Sequence, residues 1–413
     1  MSPTNISKND NRNTRQREKM PISEKMRSFS QTSSWIRKMF EEGTKMKARF
    51  GAENVFDFSL GNPDVPPPPE FTTVIKEIVA DQSPGVHAYM PNGGYPWVRE
   101  SLAAKLSVEQ GVTISFADML MTCGAAGAIN IIMKSLLNPG DEVILLAPYF
   151  VEYTFYVDNH GGVSKIVNTD KEFNLDLAAI EVAITDKTKA IFINSPNNPT
   201  GQIYSQDSLN GLGKLLESAG NRLGTTIYLI ADEPYRKIVF DNHLVASAFL
   251  ATRNSIVLSS YSKELSLPGE RIGYLAVHPE IEDKSALLGA LTLANRILGF
   301  VNAPALMQRV VARLQDVSID SSIYTRRREL FCRILSEAGF DFVPPKGAFY
   351  IFPKSPLADD VAFCAILQEH KILAVPGRGF GVPGYFRLAF CVSDDVIRRS
   401  AESFQKAMTQ ARG

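Results

Sequence analysis

One pattern repeats along the middle of this chain of 413 residues: a short apolar run, then small or polar residues, then a stretch with helical periodicity. Four such units begin at the segments VILLAPYF (from Val143), AIFINSPNNPTG (from Ala190), TIYLIADEPYRK (from Thr226) and SIVLSSYSKE (from Ser255). Short β-branched runs that alternate with longer amphipathic segments are typical of strands and crossover helices. The sequence therefore predicts an α/β fold, with a mostly parallel central sheet and flanking helices.

The pattern changes after Asn302. The segments VNAPALMQRVVARLQDV and SSIYTRRRELFCRILSEAGF indicate long amphipathic helix that breaks at Gly339, and GAFYIFP, AVPGRGFG and YFRLAFC indicate short strands with glycine turns. We therefore expect a second, smaller α+β domain. The predicted segments are a flexible polar tail at 1–33, an N-terminal arm with part of the small domain at 34–66, a large domain at 67–304 and the small domain at 305–413.

Charge and cysteine content bear on partners and location. The 44 basic residues balance the 44 acidic ones, so no net charge attracts nucleic acid or an anionic membrane. No apolar stretch approaches the roughly 18 residues that a membrane helix needs. The four cysteines show no CxxC spacing, which favours reduced thiols over disulfides or a zinc site. These features predict a cytoplasmic protein without nucleic-acid or membrane partners.

For the polar segment at 1–33, the alternative to a flexible tail is a targeting peptide. The acidic residues of this segment count against that alternative.

Chemically useful side chains follow the apolar runs. Phe150, Asn198, Asp232 and Lys263 each come at or just after the end of one run. In an open parallel sheet, ligands bind outside the carboxyl ends of the strands. The sequence therefore predicts that these four residues meet at one site.

The lysine and the aspartate suggest a specific chemistry. The primary amine of Lys263 can form an imine with an aldehyde, although most lysines only solvate a surface. Asp232 ends the apolar run Ile227–Ala231, where a carboxylate is costly unless a cation meets it. A protonated pyridine ring is such a cation, and pyridoxal phosphate chemistry requires this pairing. The alternative for Asp232 is a helix N-cap before Pro234.

A run of small residues suggests a place for a phosphate. In the segment TCGAAGAINIIMKSLLNPG, residues Gly124 to Ala128 open a predicted helix, where bare backbone N–H groups can bind an anion. Ser260 and Arg271 flank the lysine and could add charge-assisted hydrogen bonds. The alternative is close packing of this helix on a strand.

Five motifs in order resemble those of the class I/II aminotransferases, which are pyridoxal-phosphate enzymes of fold type I. They are NNPTG (197–201), DEPY (232–235), SKELSLPGERIGY (262–274), GAFY (347–350) and FRLAF (386–390), and the resemblance covers roughly residues 34–410. It implies an enzyme that uses pyridoxal 5′-phosphate to move an amino group from an L-amino acid to a 2-oxo acid by a ping-pong mechanism. It also implies a homodimer with shared active sites.

The resemblance assigns roles to individual residues. Lys263 resembles the lysine that holds the cofactor as an imine, and Asp232 resembles the partner of the ring nitrogen. Arg387 and Gly61 resemble the groups that bind the substrate carboxylate, and Asn198 is implied to contact the substrate as well. The remaining implied cofactor contacts are the phenolic-oxygen partners Tyr235 and Asn198, the stacking ring of Phe150, the phosphate-binding Gly124, Ala125, Ala126, Ser260 and Arg271, and Tyr89 from the neighbouring subunit.

Several alternatives stay open. Tyr89 and Phe150 could be packing residues, and Asn198 could only shape a turn. Arg378 could be a solvated charge or a second group for an acidic substrate, and Arg296 could reach such a substrate from the other subunit. The same fold and cofactor also serve β-lyases, oxidases and synthases. A transaminase-like sensor would need a DNA-binding module before residue 34, and that tail is too short and too poor in apolar residues to form one.

Overall fold

A computed structural model describes residues 21–31 and 35–413 of the chain, in which helices alternate with strands. The helices are α1 (Glu24–Gln31), α2 (Trp35–Phe50), α3 (Pro69–Ala80), α4 (Pro96–Gln110), α5 (Gly124–Leu136), α6 (Glu152–Asp158), α7 (Leu177–Ala183), α8 (Gln206–Leu223), α9 (Ala248–Ala251), α10 (Tyr261–Glu264), α11 (Lys284–Ile297), α12 (Ala305–Ala312), α13 (Ser322–Glu337), α14 (Asp360–Glu369), α15 (Asp394–Arg399) and α16 (Ala401–Arg412). The strands are β1 (Phe56–Asp57), β2 (Met119–Thr122), β3 (Glu142–Ala147), β4 (Val163–Asn168), β5 (Thr188–Asn194), β6 (Tyr228–Asp232), β7 (Ser255–Ser260), β8 (Gly273–Val277), β9 (Tyr350–Ile351), β10 (Ile372–Leu373), β11 (Val375–Pro376) and β12 (Phe386–Ala389).

Seven strands form the central sheet in the order β2-β8-β7-β6-β5-β3-β4. Strands β4, β3, β5, β6 and β7 are mutually parallel, and β8 runs antiparallel to both β7 and β2. The four predicted apolar runs are β3, β5, β6 and β7. The predicted α/β fold with a mostly parallel sheet is therefore confirmed, and the antiparallel strand β8 is the feature that the pattern did not predict.

Both faces of this sheet are buried along β3, β5, β6, β7 and β8, which explains why these strands are mostly apolar, whereas the edge strand β4 is largely exposed and carries polar residues. Along β3, Ile144 and Leu146 face one core cluster, whereas Val143 and Leu145 face another. Helices α4, α8 and α12 contribute to the first cluster, and α5 and α11 to the second. The sheet is thus a rigid layer whose carboxyl edge can hold side chains in fixed positions.

The small domain has its own aromatic core around the antiparallel strands β11, β12 and β9. Strand β1 pairs in parallel with β10, which ties the N-terminal arm to this domain. Met307, Val310 and Leu314 pack in the core of the large domain, whereas Ile319 packs in that of the small one. The predicted boundary at residue 304 thus precedes a helix of the large domain, and we propose a boundary between 314 and 319.

The predicted tail at 1–33 is described only in part. Residues Glu24–Gln31 form helix α1, which the sequence interpretation did not include. Residues 1–20 and 32–33 lie outside the described residues, so the predicted flexibility of those positions stays a prediction. Within the described ranges, no helix is long and apolar enough to cross a bilayer.

The close packing of α8 against α9 can be tested at Gly213, a buried position of α8. A Cβ atom there would lie 2.0 Å from the carbonyl oxygen of Ala251 in α9, so Gly213→Ala should destabilise the protein by about 1–3 kcal/mol. Gly289 in α11 is the matched control, because a Cβ atom there meets nothing within 4 Å. Gly289→Ala should stabilise by about 0.5–1 kcal/mol. Denaturant unfolding of both variants checks this, and equal effects would contradict the packing.

Candidate active site

A cavity of about 340 Å³ opens at the carboxyl ends of β5, β6 and β7, against the first turn of α5. Side chains of the small domain, on β9 and β12, complete its wall. The structure brings together eleven of the thirteen residues to which the resemblance assigns a role. These are Gly61, Ala125, Ala126, Phe150, Asn198, Asp232, Tyr235, Ser260, Lys263, Arg271 and Arg387.

Lys263 projects into the cavity from the short helix α10, directly after β7. Its Nζ donates a hydrogen bond to the carbonyl oxygen of Gly61 at 2.7 Å and lies 5.4 Å from the ring centroid of Phe349. Burial lowers the pKa of Lys263 to about 8, and the nearby guanidinium groups of Arg387 and Arg271 act in the same direction. An amine with this pKa is partly neutral near neutral pH and can act as a nucleophile or a base.

Asp232 is the last residue of β6, and its carboxylate is almost completely buried. The hydroxyl of Tyr153 donates to Oδ2 at 2.6 Å, whereas the buried Oδ1 has no hydrogen-bond partner within the described part of the chain. Burial raises the pKa of Asp232 to about 7, although the bond from Tyr153 opposes the shift. A turn, not a helix, follows Asp232, so the N-cap alternative is wrong.

Arg387 lies on β12 and is 1% exposed. Its Nη1 donates to Oδ1 of Asn198 at 3.0 Å and its Nη2 donates to the carbonyl oxygen of Ser59 at 2.6 Å. The guanidinium lies between the rings of Tyr350 and Phe380, at 4.7 and 4.8 Å from their centroids. These contacts fix its plane, which suits a guanidinium that receives a carboxylate. The side chain of Asn198 therefore does more than shape a turn.

The N-terminus of α5 forms the opposite end of the cavity. No side chain caps this helix, so its first N–H groups remain available to an anion. Gly124 has a φ of +70°, and a Cβ atom there would lie 2.7 Å from Nη2 of Arg271. Gly124 does not line the cavity itself, but it lets this guanidinium approach the helix end. Ser260, at the end of β7, and the backbone of Ala125 and Ala126 complete this region.

Two tyrosines and a glycine bring the arm, the large domain and the small domain together beside Lys263. The hydroxyls of Tyr235 and Tyr350 lie 2.8 Å apart in a hydrogen bond. A Cβ atom on Gly61 would lie 2.0 Å from the Tyr350 hydroxyl, so only glycine fits there. The close approach of Gly61 is what allows its carbonyl oxygen to accept the Lys263 bond.

Sequence reasoning missed several residues of this wall, among them three tyrosines and an asparagine. Tyr153 and Tyr156 lie one turn apart in α6, Asn194 ends β5, and Tyr350 closes the motif GAFY. Asn194 donates to the backbone carbonyl of Asp232 at 2.9 Å. Its place at the end of an apolar run was a signal that could have found it, in the same way as Asp232. Tyr153 and Tyr156 carry no such signal, because α6 reaches the cavity only through tertiary packing.

Three predicted contacts lie elsewhere in this chain. Tyr89 is 92% exposed and outside the cavity, so its role across a subunit boundary stays a prediction. Arg296 is exposed on α11, and its role from another subunit is likewise untested. Arg378 does not reach the cavity, because its guanidinium pairs with Asp359 and the fully buried Asp360 at 2.5 and 2.7 Å. Arg378 is exposed, as expected of a solvated charge, and its ion pairs keep it apart from this site.

The chain is similar to known proteins over most of its length. The sequence model of the family described as aminotransferase class I and II matches residues 53–404. The aspartate/prephenate aminotransferase of Thermus thermophilus is 31% identical over 359 residues, which cover 86% of this chain and 91% of that protein. The probable aspartate/prephenate aminotransferase of Aquifex aeolicus is 32% identical over 372 residues, covering 86% of this chain and 92% of that one.

Solved structures give the same result. The crystal structure of an aminotransferase from Eubacterium rectale superposes with a TM-score of 0.92 at 38% identity, over 95% of this chain and all of that one. An aspartate aminotransferase from T. thermophilus with maleate superposes with a TM-score of 0.84 at 26% identity, over 94% of this chain and all of that one. With the cavity geometry, these matches favour amino-group transfer over the lyase, oxidase and synthase alternatives. This chain belongs to the class I and II aminotransferases.

Proposed function

We propose that the chain binds pyridoxal 5′-phosphate in the cavity at the carboxyl edge of the sheet and there transfers an amino group from an L-amino acid to a 2-oxo acid. The observation that carries this proposal is that one cavity holds two buried groups. One is a carboxylate with one oxygen that lacks a hydrogen-bond partner among the described residues, and the other is an amine of lowered pKa. When bound, the cofactor supplies an aldehyde that condenses with amines and a ring that accepts electrons from the substrate Cα. The remaining steps belong to residues of the chain.

The cavity residues fit this cofactor. The free Oδ1 of Asp232 is an acceptor without a donor, and a protonated ring nitrogen would satisfy it. The uncapped end of α5 with Arg271 offers the N–H groups and the charge that a phosphate requires. The ring of Phe150 offers a flat apolar surface in the cavity wall, where an aromatic ring could stack.

In the proposed mechanism Lys263 moves protons. Its Nζ would take the proton from the substrate Cα once it no longer carries the cofactor, and its pKa of about 8 suits a base near neutral pH. Asp232 would accept the hydrogen bond of the ring nitrogen and so hold the proton there. Tyr153 would keep Asp232 ionised, because a hydrogen bond to a carboxylate stabilises its charged form.

Arg387 would orient the substrate by binding its α-carboxylate. The Nε atom of this buried guanidinium has no partner among the described residues, so it is available for a carboxylate oxygen. The contacts to Asn198 and to the rings of Tyr350 and Phe380 already fix its plane. Little orientation entropy would then be lost on binding. The backbone of Gly61, beside Lys263, would meet the same carboxylate.

We also propose that the chain acts as a homodimer. Tyr89, Leu293 and Ile297 expose 92%, 47% and 55% of their surface. Asn295 of α11 donates to the carbonyl oxygen of Asn92 at 2.7 Å, which holds the loop of Tyr89 against this helix. Exposed apolar side chains on adjoining elements are typical of a subunit contact.

The cytoplasmic location remains a prediction from the sequence.

The names of the relatives make L-aspartate the donor that we propose to test first. We expect L-aspartate, added to the cofactor-loaded protein without a 2-oxo acid, to shift the visible absorbance of the cofactor and a 2-oxo acid to restore it. Other single amino acids serve as comparisons in the same titration. Recovery of the original absorbance without any 2-oxo acid, accompanied by ammonia, would contradict amino-group transfer.

Replacing Lys263 should abolish turnover and covalent attachment of the cofactor. We expect Lys263→Ala to lower kcat by at least about 10²–10⁴-fold, which is the usual contribution of a positioned base. Borohydride treatment followed by mass spectrometry should show the cofactor fixed to the wild-type protein and not to the variant. Lys134→Ala, at an exposed position of α5, is the control and should behave like the wild type. A variant at position 263 that retains full activity would overturn the assignment.

Asp232 should give the cofactor-free protein a distinct pH dependence. Its pKa in the folded state is about 7 against an ordinary value of 3.8. The raised pKa therefore contributes fully to the free energy of unfolding below pH 4, and this contribution is lost as the pH rises to 7. The stability gained by Asp232→Asn should therefore grow between pH 5 and 8, by on the order of a few kcal/mol. Denaturant unfolding of both proteins measures this difference. A difference that does not change with pH would contradict the burial of an unpaired carboxyl.

A further inference from the structure

Helix α1 lies outside the region 53–404 that matches the family, yet it contacts a helix of the cavity wall. The Nζ atom of Lys25 lies 2.5 Å from Oδ2 of Asp158. The ring of Phe29 meets that of Phe155 edge to face, with centroids 4.9 Å apart and planes at 70°. Since Lys25 and Phe29 are four residues apart, one face of α1 makes both contacts. Helix α1 therefore packs on α6.

Helix α6 has two faces with different surroundings. Its inner face carries Tyr153 and Tyr156, which line the cavity, and Tyr153 donates to the carboxylate of Asp232 at 2.6 Å. Its outer face carries Phe155 and Asp158, which meet α1. A helix of seven residues is too short to be stable by itself, so its position depends on what packs against it. The contacts of α1 and the hydroxyl of Tyr153 thus lie on opposite sides of one small element.

We propose that α1 is a positioning element for the cofactor site, because the contact of Phe29 with Phe155 holds α6 where Tyr153 can donate its hydrogen bond to Asp232. Phe29 is then a positioning residue that acts through Tyr153 and touches neither cofactor nor substrate. The inference rests on the proposed binding of pyridoxal 5′-phosphate by Asp232. It concerns residues that precede the region 53–404 matched by the family model.

The consequence for the site follows from the chemistry of a buried carboxylate. Without the edge contact of Phe29, the outer face of α6 loses an aromatic partner, and the helix has more freedom to shift or open. A shift of α6 weakens the hydrogen bond that Tyr153 donates to Asp232. Without this bond, the charged form of the Asp232 carboxyl is less stable relative to its neutral form. The neutral form pairs more weakly with a protonated ring nitrogen because it lacks the negative charge, so the cofactor is held less tightly.

A double-mutant cycle tests this route. We expect Phe29→Ala to raise the dissociation constant of pyridoxal 5′-phosphate by roughly three- to tenfold, as measured by absorbance titration. Met26→Ala is the matched control, since this side chain of the same helix is 53% exposed, and it should leave the constant unchanged. In a Tyr153→Phe background, Phe29→Ala should have little further effect, because the bond through which it acts is already absent.

A second measurement needs no cofactor. Hydrogen exchange of the amides of 152–158 in the cofactor-free protein should be faster in Phe29→Ala than in the wild type or in Met26→Ala. Unchanged exchange in Phe29→Ala, or an equal effect of that variant with and without Tyr153, would overturn the proposal. Failure of the wild-type protein to bind pyridoxal 5′-phosphate would instead overturn the proposed function, so the two failures are distinguishable.

Discussion

The structure depends on one buried carboxylate at the end of a central strand. Asp232 is surrounded by the two core layers of the sheet, where an ionised group is costly unless it is hydrogen-bonded and paired. Tyr153 satisfies one of its oxygens, and the other has no hydrogen-bond partner among the described residues. A protein that only needed a stable core would place an apolar residue at this position. The cost is understandable only if a cation completes the site, which is why this carboxylate indicates a function.

The parallel sheet explains how distant residues reach this carboxylate. Strands β5, β6 and β7 are neighbours that run in the same direction, so Asn198, Asp232 and Lys263 arrive at one edge although they lie far apart in sequence. The small domain supplies the other half of the cavity through Tyr350 and Arg387. The sheet thus holds one half of the cavity wall, and a separate core contributes the arginine that we propose for the substrate carboxylate.

The sequence was sufficient for the parts of the site that depend on local patterns. The ends of apolar runs located Asp232 and Lys263, and the parallel sheet followed from the same runs. The role of Arg387 came only from the resemblance, since nothing local distinguishes it from the other arginines. Tyr153 was missed because its bond to Asp232 depends on the packing of α6. The pairing of Arg378 with two carboxylates of α14 could not be predicted either, because it joins elements that are separate in sequence.

The antiparallel strand β8 has a consequence for how the cavity can change shape. Because β8 runs antiparallel to β7, the first residue of β8 lies beside the last residue of β7, at the sheet edge that carries the cavity. The two strands are therefore joined without a crossover helix. Lys263 and Arg271 therefore both line the cavity from one short connection of the chain, only eight residues apart. That connection sets the distance between the amine of Lys263 and the guanidinium that we propose for the phosphate. A movement of the small domain would displace Tyr350 and Arg387 in the cavity wall and leave this distance unchanged.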